Sequence, residues 1–158
     1  MEGKPVRASL SEYSEFALPN DANGLGNVLG GKVMHLVDLA GAMAALRHAR
    51  KPVVTASVDS LHFLQPVRIG QLIVLRSSVN RVFRTSMEIG VKVETEDLLT
   101  GTKLHTCSAY LTFVALDDNR KAVEVPPVIP ETEEEQRRYR DAGERREYRL
   151  AMRNRPRS

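Results

Sequence analysis

Along residues 87–95 the chain alternates: Met87, Ile89, Val91 and Val93 are apolar, with Glu88, Gly90, Lys92 and Glu94 between them. A period of two puts each set on its own face, so this segment predicts a strand with one buried and one wet side. Asp97 to Thr102, containing Gly101, reads as a turn, and a second strand is expected from Lys103 to about Leu116. Residues 53–64 and 71–83 are two further β-rich runs, joined by Gln65-Pro66-Val67-Arg68-Ile69-Gly70, and an earlier strand is expected within residues 6–18. Short connections between successive strands predict an antiparallel sheet. Val28 to Arg50 breaks the pattern, being almost wholly apolar or small, with Gly30, Gly31 and Gly41 inside it. A helix that is apolar all round has to be surrounded by protein. Asn27 is its expected N-cap, and Arg47, His48, Arg50 and Lys51 mark its end.

The order is therefore strand, one buried helix, then four strands. An α+β domain with about five antiparallel strands wrapped around one central helix, the hotdog arrangement, satisfies that order. A boundary falls at Val125-Pro126-Pro127-Val128-Ile129-Pro130, which can be neither helix nor central strand. We therefore expect a body over residues 1–127 and a proline-led, charged helical tail over 128–158. Thr132 and Glu135 form a capping box at the tail's start. Glu133/Arg137, Glu134/Arg138 and Asp141/Arg145 are opposite charges at i, i+4, while Gly143 weakens the helix middle by about 1 kcal/mol.

Composition narrows the setting. With 158 residues, 42% of them hydrophobic, the chain is sized for one domain with a sufficient core. The net charge of +3 is split between body and tail; residues 131–158 carry 9 basic and 7 acidic groups, and such mixed signs argue against a nucleic-acid partner. A single cysteine, Cys107, excludes an internal disulfide framework and a cysteine-based zinc site. A polar N-terminus without a secretory pattern places the expected protein in the cytoplasm. The longest apolar run, Leu39 to Leu46, is far too short for membrane insertion.

Two features carry candidate chemistry. Asp38 is the only acid between Asp21 and Asp59 and sits among Leu36, Val37, Leu39 and Ala40. A buried carboxylate needs a hydrogen-bonded partner, a raised pKa or a wet cavity. It is either a general base or nucleophile in an acyl pocket, or an ion-pair partner of Lys32, Arg47 or a neighbouring chain. His35 and Asp38, at i, i+3, could begin a metal site, but no third ligand is evident, so no metal is expected. The second feature is the glycine-rich loop Asp21-Ala22-Asn23-Gly24-Leu25-Gly26-Asn27 leading into Val28-Leu29-Gly30-Gly31. Free N–H groups at a helix start can stabilise an oxyanion, although glycines here could equally ease helix–sheet packing. Asp38 lies about ten residues into the helix, roughly 15 Å from its start at 1.5 Å per residue. Asn23 and Asp38 of one chain would not meet, whereas antiparallel helices across a two-fold axis would bring Asn23 of one copy to Asp38 of the other.

Residues 21–31 followed by Asp38 resemble the acyl-coenzyme A thioesterases of the hotdog superfamily, in particular the bacterial and brain-type cytosolic acyl-CoA hydrolases. Ser57 to Val67, Phe83 to Glu88, Ala109 to Asp117 and Ile129 to Glu135 are similar to later segments of that group, in the same order. The resemblance implies hydrolysis of a fatty acyl-CoA to free acid and coenzyme A, the coenzyme being part of substrate and product and no separate cofactor being needed. It implies that Asp38 activates water, that Asn23 of the partner subunit holds the water or the carbonyl, and that N–H groups near Gly30 and Gly31 meet the oxyanion. It places the nucleotide end of CoA near Arg84, Thr85 and Ser86, with Arg81 and Arg84 on its phosphates unless both are merely solvated. Dimers, assembled as trimers of dimers into a homohexamer, are the implied assembly. A non-catalytic acyl-CoA sensor and a hotdog enoyl hydratase or dehydratase are the alternatives. The loop from 19 to 31 has no histidine to serve the latter.

Overall fold

The alternating segments form the strands they predict. The computed structural model describes residues 1–156. In chain order the elements are β1 (Lys4–Pro5), β2 (Ser11–Phe16), α1 (Gly30–Ala49), β3 (Val53–Phe63), β4 (Leu72–Phe83), β5 (Ser86–Glu96), β6 (Lys103–Ala115), β7 (Val128–Ile129) and α2 (Glu133–Arg153), with two single 3₁₀ turns near the N-terminus. Five strands make one antiparallel sheet in the order β2-β4-β5-β6-β3, so β2 and β3 are its edges. β1 and β7 form a separate short parallel pair, and Val125 and Val128 of the proline-rich junction are buried in the core.

α1 lies across the inner face. Ile73, Leu75, Val79, Met87, Ile89 and Leu111 are fully buried beneath it. Close approach is possible at Gly41, where a Cβ would stand 3.0 Å from the Phe113 ring. The Ser77 hydroxyl donates to the Ala40 carbonyl at 2.6 Å and fixes the helix over β4. The expected Asn27 cap is displaced: the helix begins at Gly30, with Leu29 as N-cap and no side chain capping it. It ends at Arg50, in the left-handed region at φ 52°.

Two sequence expectations need correction. First, α1 is not surrounded within one chain, because Met34, Leu39 and Leu46 are 39–48% exposed. They share their side of the molecule with apolar residues on edge strand β3, where Val58 and Phe63, paired with the inward-facing Leu111 and Cys107, are 46–47% exposed. Second, the outward face of β5 is not wet at Glu88, which is 0% exposed. α2 covers it. Arg145 donates to both Glu88 oxygens at 2.7 and 2.9 Å and its guanidinium lies 3.7 Å from the centre of the Tyr110 ring, while Asn80 donates to Glu88 at 2.8 Å. Burial opposes the charge of Arg145, but the bonds to Glu88 more than offset it and raise the guanidinium pKa. Arg145 thus leaves Asp141, its expected helical partner, for the sheet. Arg149 likewise bonds Asp59.

The tail therefore covers the outer face of the sheet with one side and leaves its other side to solvent. The Thr132 half of its capping box forms, with Glu135 N–H donating to Thr132 Oγ1 at 3.1 Å, while the Glu135 side chain reaches one residue further and accepts from Glu131 N–H at 2.9 Å. Glu134 pairs with Arg138, and Arg137 turns to Glu134 rather than Glu133. Gly143 has a reason beyond helix propensity: a Cβ there would stand 2.5 Å from Arg81 Nη1.

The end of α1 predicts a pH response. His48 is fully buried; its Nε2–H donates to the Pro126 carbonyl at 2.7 Å and its Nδ1 has no partner among the described residues. Burial pushes its pKa below the ordinary imidazole value, the Pro126 bond opposes that, and the Lys4 charge adds to it. The unfolded chain, with an ordinary pKa of about 6.5, binds a proton that the folded chain resists. Stability is therefore unaffected by His48 above that value and declines as pH falls below it. Urea denaturation of wild type and His48→Gln between pH 7.5 and 5 should show a shallower loss in the variant. Equal slopes would remove His48 from the account.

Candidate active site

Asp38 projects from the middle of α1 and is half-buried. Neither candidate cation meets it. Lys32 pairs with Glu15 at 2.9 Å and lies 3.8 Å from Asp21, while Arg47 donates to the Leu10 carbonyl at 2.6 Å. Its partner is Thr55 on β3, whose hydroxyl donates to Asp38 Oδ1 at 2.7 Å. Two β-bulges in β3, between Thr55 and Ser57 and between Val58 and Ser60, set this geometry. An extra residue reverses which way successive side chains point. Thr55 pairs with Phe113 on the inner face, whereas Ser57 pairs with Thr112 on the outer face. Asp38 therefore has one oxygen anchored by a hydroxyl and, among the described residues, no ion-pair partner. It lies in the exposed apolar surface made by α1 and β3.

Thr55 was not visible in the sequence. No spacing rule links residue 55 to residue 38, because their contact exists only once β3 packs beside α1.

Asn23 is held in place by its loop. Its Oδ1 accepts from Leu25 N–H at 2.8 Å and Asn27 N–H at 3.2 Å, which identifies that atom as the oxygen and leaves the amide NH₂ as a donor. The loop closes through Asn23 N–H to the Asn27 carbonyl at 2.7 Å, with Gly26 at φ 80°. Asn23, Gly30 and Phe63 line a cleft of about 320 Å³ at the start of α1. Asp38 does not line it, so within one chain the loop and the acid stand apart, in line with the helix-length argument.

Among the described residues the N–H groups of Gly30 and Gly31 have no acceptor. A Cβ at Gly31 would meet nothing within 4 Å, so packing inside the chain does not require that glycine. The helix–sheet packing role belongs to Gly41.

The substrate-end candidates lie at the other end of the sheet. Arg84 and Thr85 form the two-residue turn between β4 and β5, with Arg84 at φ 63° and its side chain 77% exposed, 3.9 Å from Glu124. Arg81 is committed elsewhere: its guanidinium lies 4.1 Å from the centre of the Tyr139 ring and donates to the Tyr139 carbonyl. Thr85 and Ser86 face a second, larger cleft beneath α2. Of the two arginines, only Arg84 is free to turn toward a ligand.

A five-stranded sheet on one long helix, with a helix acid and a glycine-rich entry loop, defines a hotdog protein. The thioesterase superfamily matches residues 25–102. An acyl-CoA thioester hydrolase of Bacillus subtilis, YkhA, is 46% identical over 117 residues, covering 74% of this chain and 68% of its own. The chain spans only 25% of the rat acetyl-coenzyme A thioesterase, to which it is 38% identical. An apo-hexameric acyl-CoA thioesterase superposes with a TM-score of 0.94 at 40% identity, over 98% of this chain and 99% of that one. The acyl-CoA hydrolase of Staphylococcus aureus, solved with butyryl coenzyme A and coenzyme A, superposes at 0.89 with 35% identity over 95% and 92% of the two chains. The chain belongs to the hotdog-fold acyl-CoA thioesterase family. The Staphylococcus aureus hydrolase has also been solved as variants in which an Asn, an Asp and a Thr are each replaced by Ala; these lie 15 and 17 residues apart in succession.

Proposed function

We propose that the protein hydrolyses fatty acyl-CoA thioesters, at a site completed by two copies of the chain, with Asp38 as the base. The observation that carries this reading is the Asp38–Thr55 pair in an exposed apolar surface, with no ion-pair partner for the carboxylate among the described residues. Asn23, Asp38 and Thr55 are separated by the same 15 and 17 residues as the three positions varied in the Staphylococcus aureus enzyme, which supports giving them the same roles.

The chemistry follows from the groups present. The Thr55 hydroxyl holds one oxygen of Asp38 and leaves the other to take a proton from water. That water attacks the thioester carbonyl carbon. The developing oxyanion is met by the N–H groups of Gly30 and Gly31 at the positive end of α1. Asn23 of the partner subunit donates its NH₂ to the carbonyl or aligns the water. Collapse breaks the carbon–sulfur bond, and the proton held by Asp38 passes to the departing thiolate, giving free acid and coenzyme A. Self-association supports the arrangement physically, since it would cover the apolar rows of α1 and β3 and bring the partner's loop to Asp38. We extend this to a trimer of dimers, because similar structures are hexameric. A cytoplasmic setting is inferred from similarity to the cytosolic acyl-CoA hydrolase of rat. No described helix is long and apolar enough to cross a membrane.

Thiol release from a panel of acyl-CoAs tests the reading. Steady turnover supports it; acyl-CoA binding with no turnover would make the protein a sensor instead. Thr55 acts through Asp38 and is a positioning residue. Thr55→Val should lower kcat about tenfold or more, the worth of one hydrogen bond to a charged group, with KM little changed. Thr55→Ser should restore most of it. A variant with unchanged kcat would remove the role.

A further inference from the structure

The outer face of the sheet carries another concavity, which the reaction outlined above does not use. It is a pocket of about 250 Å³, formed by β4, β5 and β6 and bordered by Arg138 of α2 and by Leu10. Strand register builds its floor. Ser78, Gly90 and Tyr110 stand side by side across the three strands, and Arg76, Lys92 and Ser108 form the adjoining row. Gly90 leaves the middle of the first row without a side chain, and a Cβ there would stand 3.0 Å from Asn80 Nδ2. Gly90, Glu88 and Ser86 are successive outward positions on β5, so the Glu88–Arg145 pair separates this pocket from the larger cleft beneath the end of α2.

Buried polar groups and cations line it. Ser78 is 7% exposed and Asn80 3% exposed. The Asn80 amide donates to Glu88, but its Oδ1 and the hydroxyls of Ser78 and Tyr110 have no hydrogen-bond partner among the described residues. Buried polar groups are stable only with partners, so this lining calls for a polar ligand. Arg76, Lys92 and Arg138 contribute positive charge, and no carboxylate lines the pocket. Their counter-ions stand outside it. Arg76 and Lys92 share Glu94, at 3.1 and 3.5 Å, Arg76 also meets Glu12 at 3.5 Å, and Arg138 pairs with Glu134 at 2.8 Å. Half-exposed pairs of this kind contribute little to stability and yield to a better-placed anion.

Hydroxyl donors within reach of guanidinium and ammonium groups complement a phosphate, whose oxygens accept from several directions at once. The volume falls below the roughly 300–1,000 Å³ of sites for drug-sized ligands, which points to a small anion rather than a nucleotide or a coenzyme. We propose that this pocket binds a phosphate group, free or as the ester of a small metabolite, with Arg76 and Lys92 on its oxygens and Ser78 as its buried donor. Asn80 Oδ1 is then the acceptor for a hydroxyl of the ligand. The site is separate from the thioester chemistry and stands without it.

The test is calorimetric titration of inorganic phosphate and of glycerol phosphate into the full-length protein. Wild type should bind saturably, and Arg140→Gln, on α2 but outside the pocket, should match it. Lys92→Gln, at a half-exposed position, should weaken binding about five- to tenfold, Ser78→Ala several-fold, and the two together about 30-fold or more. Tighter binding of glycerol phosphate would assign the pocket to a small phosphate ester; tighter binding of inorganic phosphate would assign it to the free ion. Binding that persists beside saturating coenzyme A would support a site apart from the substrate's own. No saturable binding by wild type, equal binding by Lys92→Gln and Ser78→Ala, or displacement by coenzyme A overturns the proposal.

Discussion

Asp38→Asn should reduce the turnover of acyl-CoA by about 10²–10⁴-fold, the usual contribution of a positioned general base. The substitution keeps the shape and the carbonyl oxygen that accepts from Thr55, and it removes the proton affinity. Coenzyme A binding should persist, because Arg84, Thr85 and Ser86, the candidates for its nucleotide end, lie at the turn between β4 and β5 and not on α1. The fold should persist too, since Asp38 is half-buried and carries no ion pair with Lys32 or Arg47. Steady-state thiol release alongside coenzyme A calorimetry separates the two effects. A variant with full turnover would take Asp38 out of the mechanism.

The second large effect concerns stability. Arg145→Leu strands Glu88 in a fully buried position with only Asn80 as donor. Breaking a buried pair from one side costs about 3–5 kcal/mol, because the remaining charge is left uncompensated. At roughly 2–4 °C per kcal/mol for a chain of this size, the melting temperature should fall by about 6–20 °C. Replacing both partners, as Glu88→Leu/Arg145→Leu, should recover much of that loss, since an apolar pair of similar volume carries no stranded charge. A thermal melt of Arg145→Leu matching wild type would mean that α2 does not seal the outer face.

These two residues also mark how far the sequence could be read. The strands from Val53 to Ala115 and the helix after them in importance, α1, were legible because burial on one face forces period two, and a mostly apolar stretch bounded by basic residues leaves few alternatives. Glu88 was not. An outward-facing acid in a strand has the same pattern whether water or a second layer covers it, and only the placement of α2 decides. Arg145, at i+4 from Asp141, looked like half of a helical ion pair for the same reason. At the site, Asp38 stood out by its isolation among apolar residues, and it does not line the cleft that holds Asn23. The expectation that it was buried failed because α1 has an uncovered side in a single chain. Thr55 left no trace, since its contact with Asp38 depends on a bulge in β3. The glycines divided by what surrounds them: Gly41 serves packing, whereas Gly31 faces open space.

The claim that two chains share one hydrolytic site is tested most directly by mixing Asn23→Ala with Asp38→Asn and measuring thiol release from acyl-CoA. Each variant alone should be nearly inactive. After equal mixing and free exchange, half of the dimers are hybrids with one intact site of two, so activity should return to about a quarter of wild type. No recovery, with subunit exchange demonstrated by mass spectrometry, would contradict the shared site.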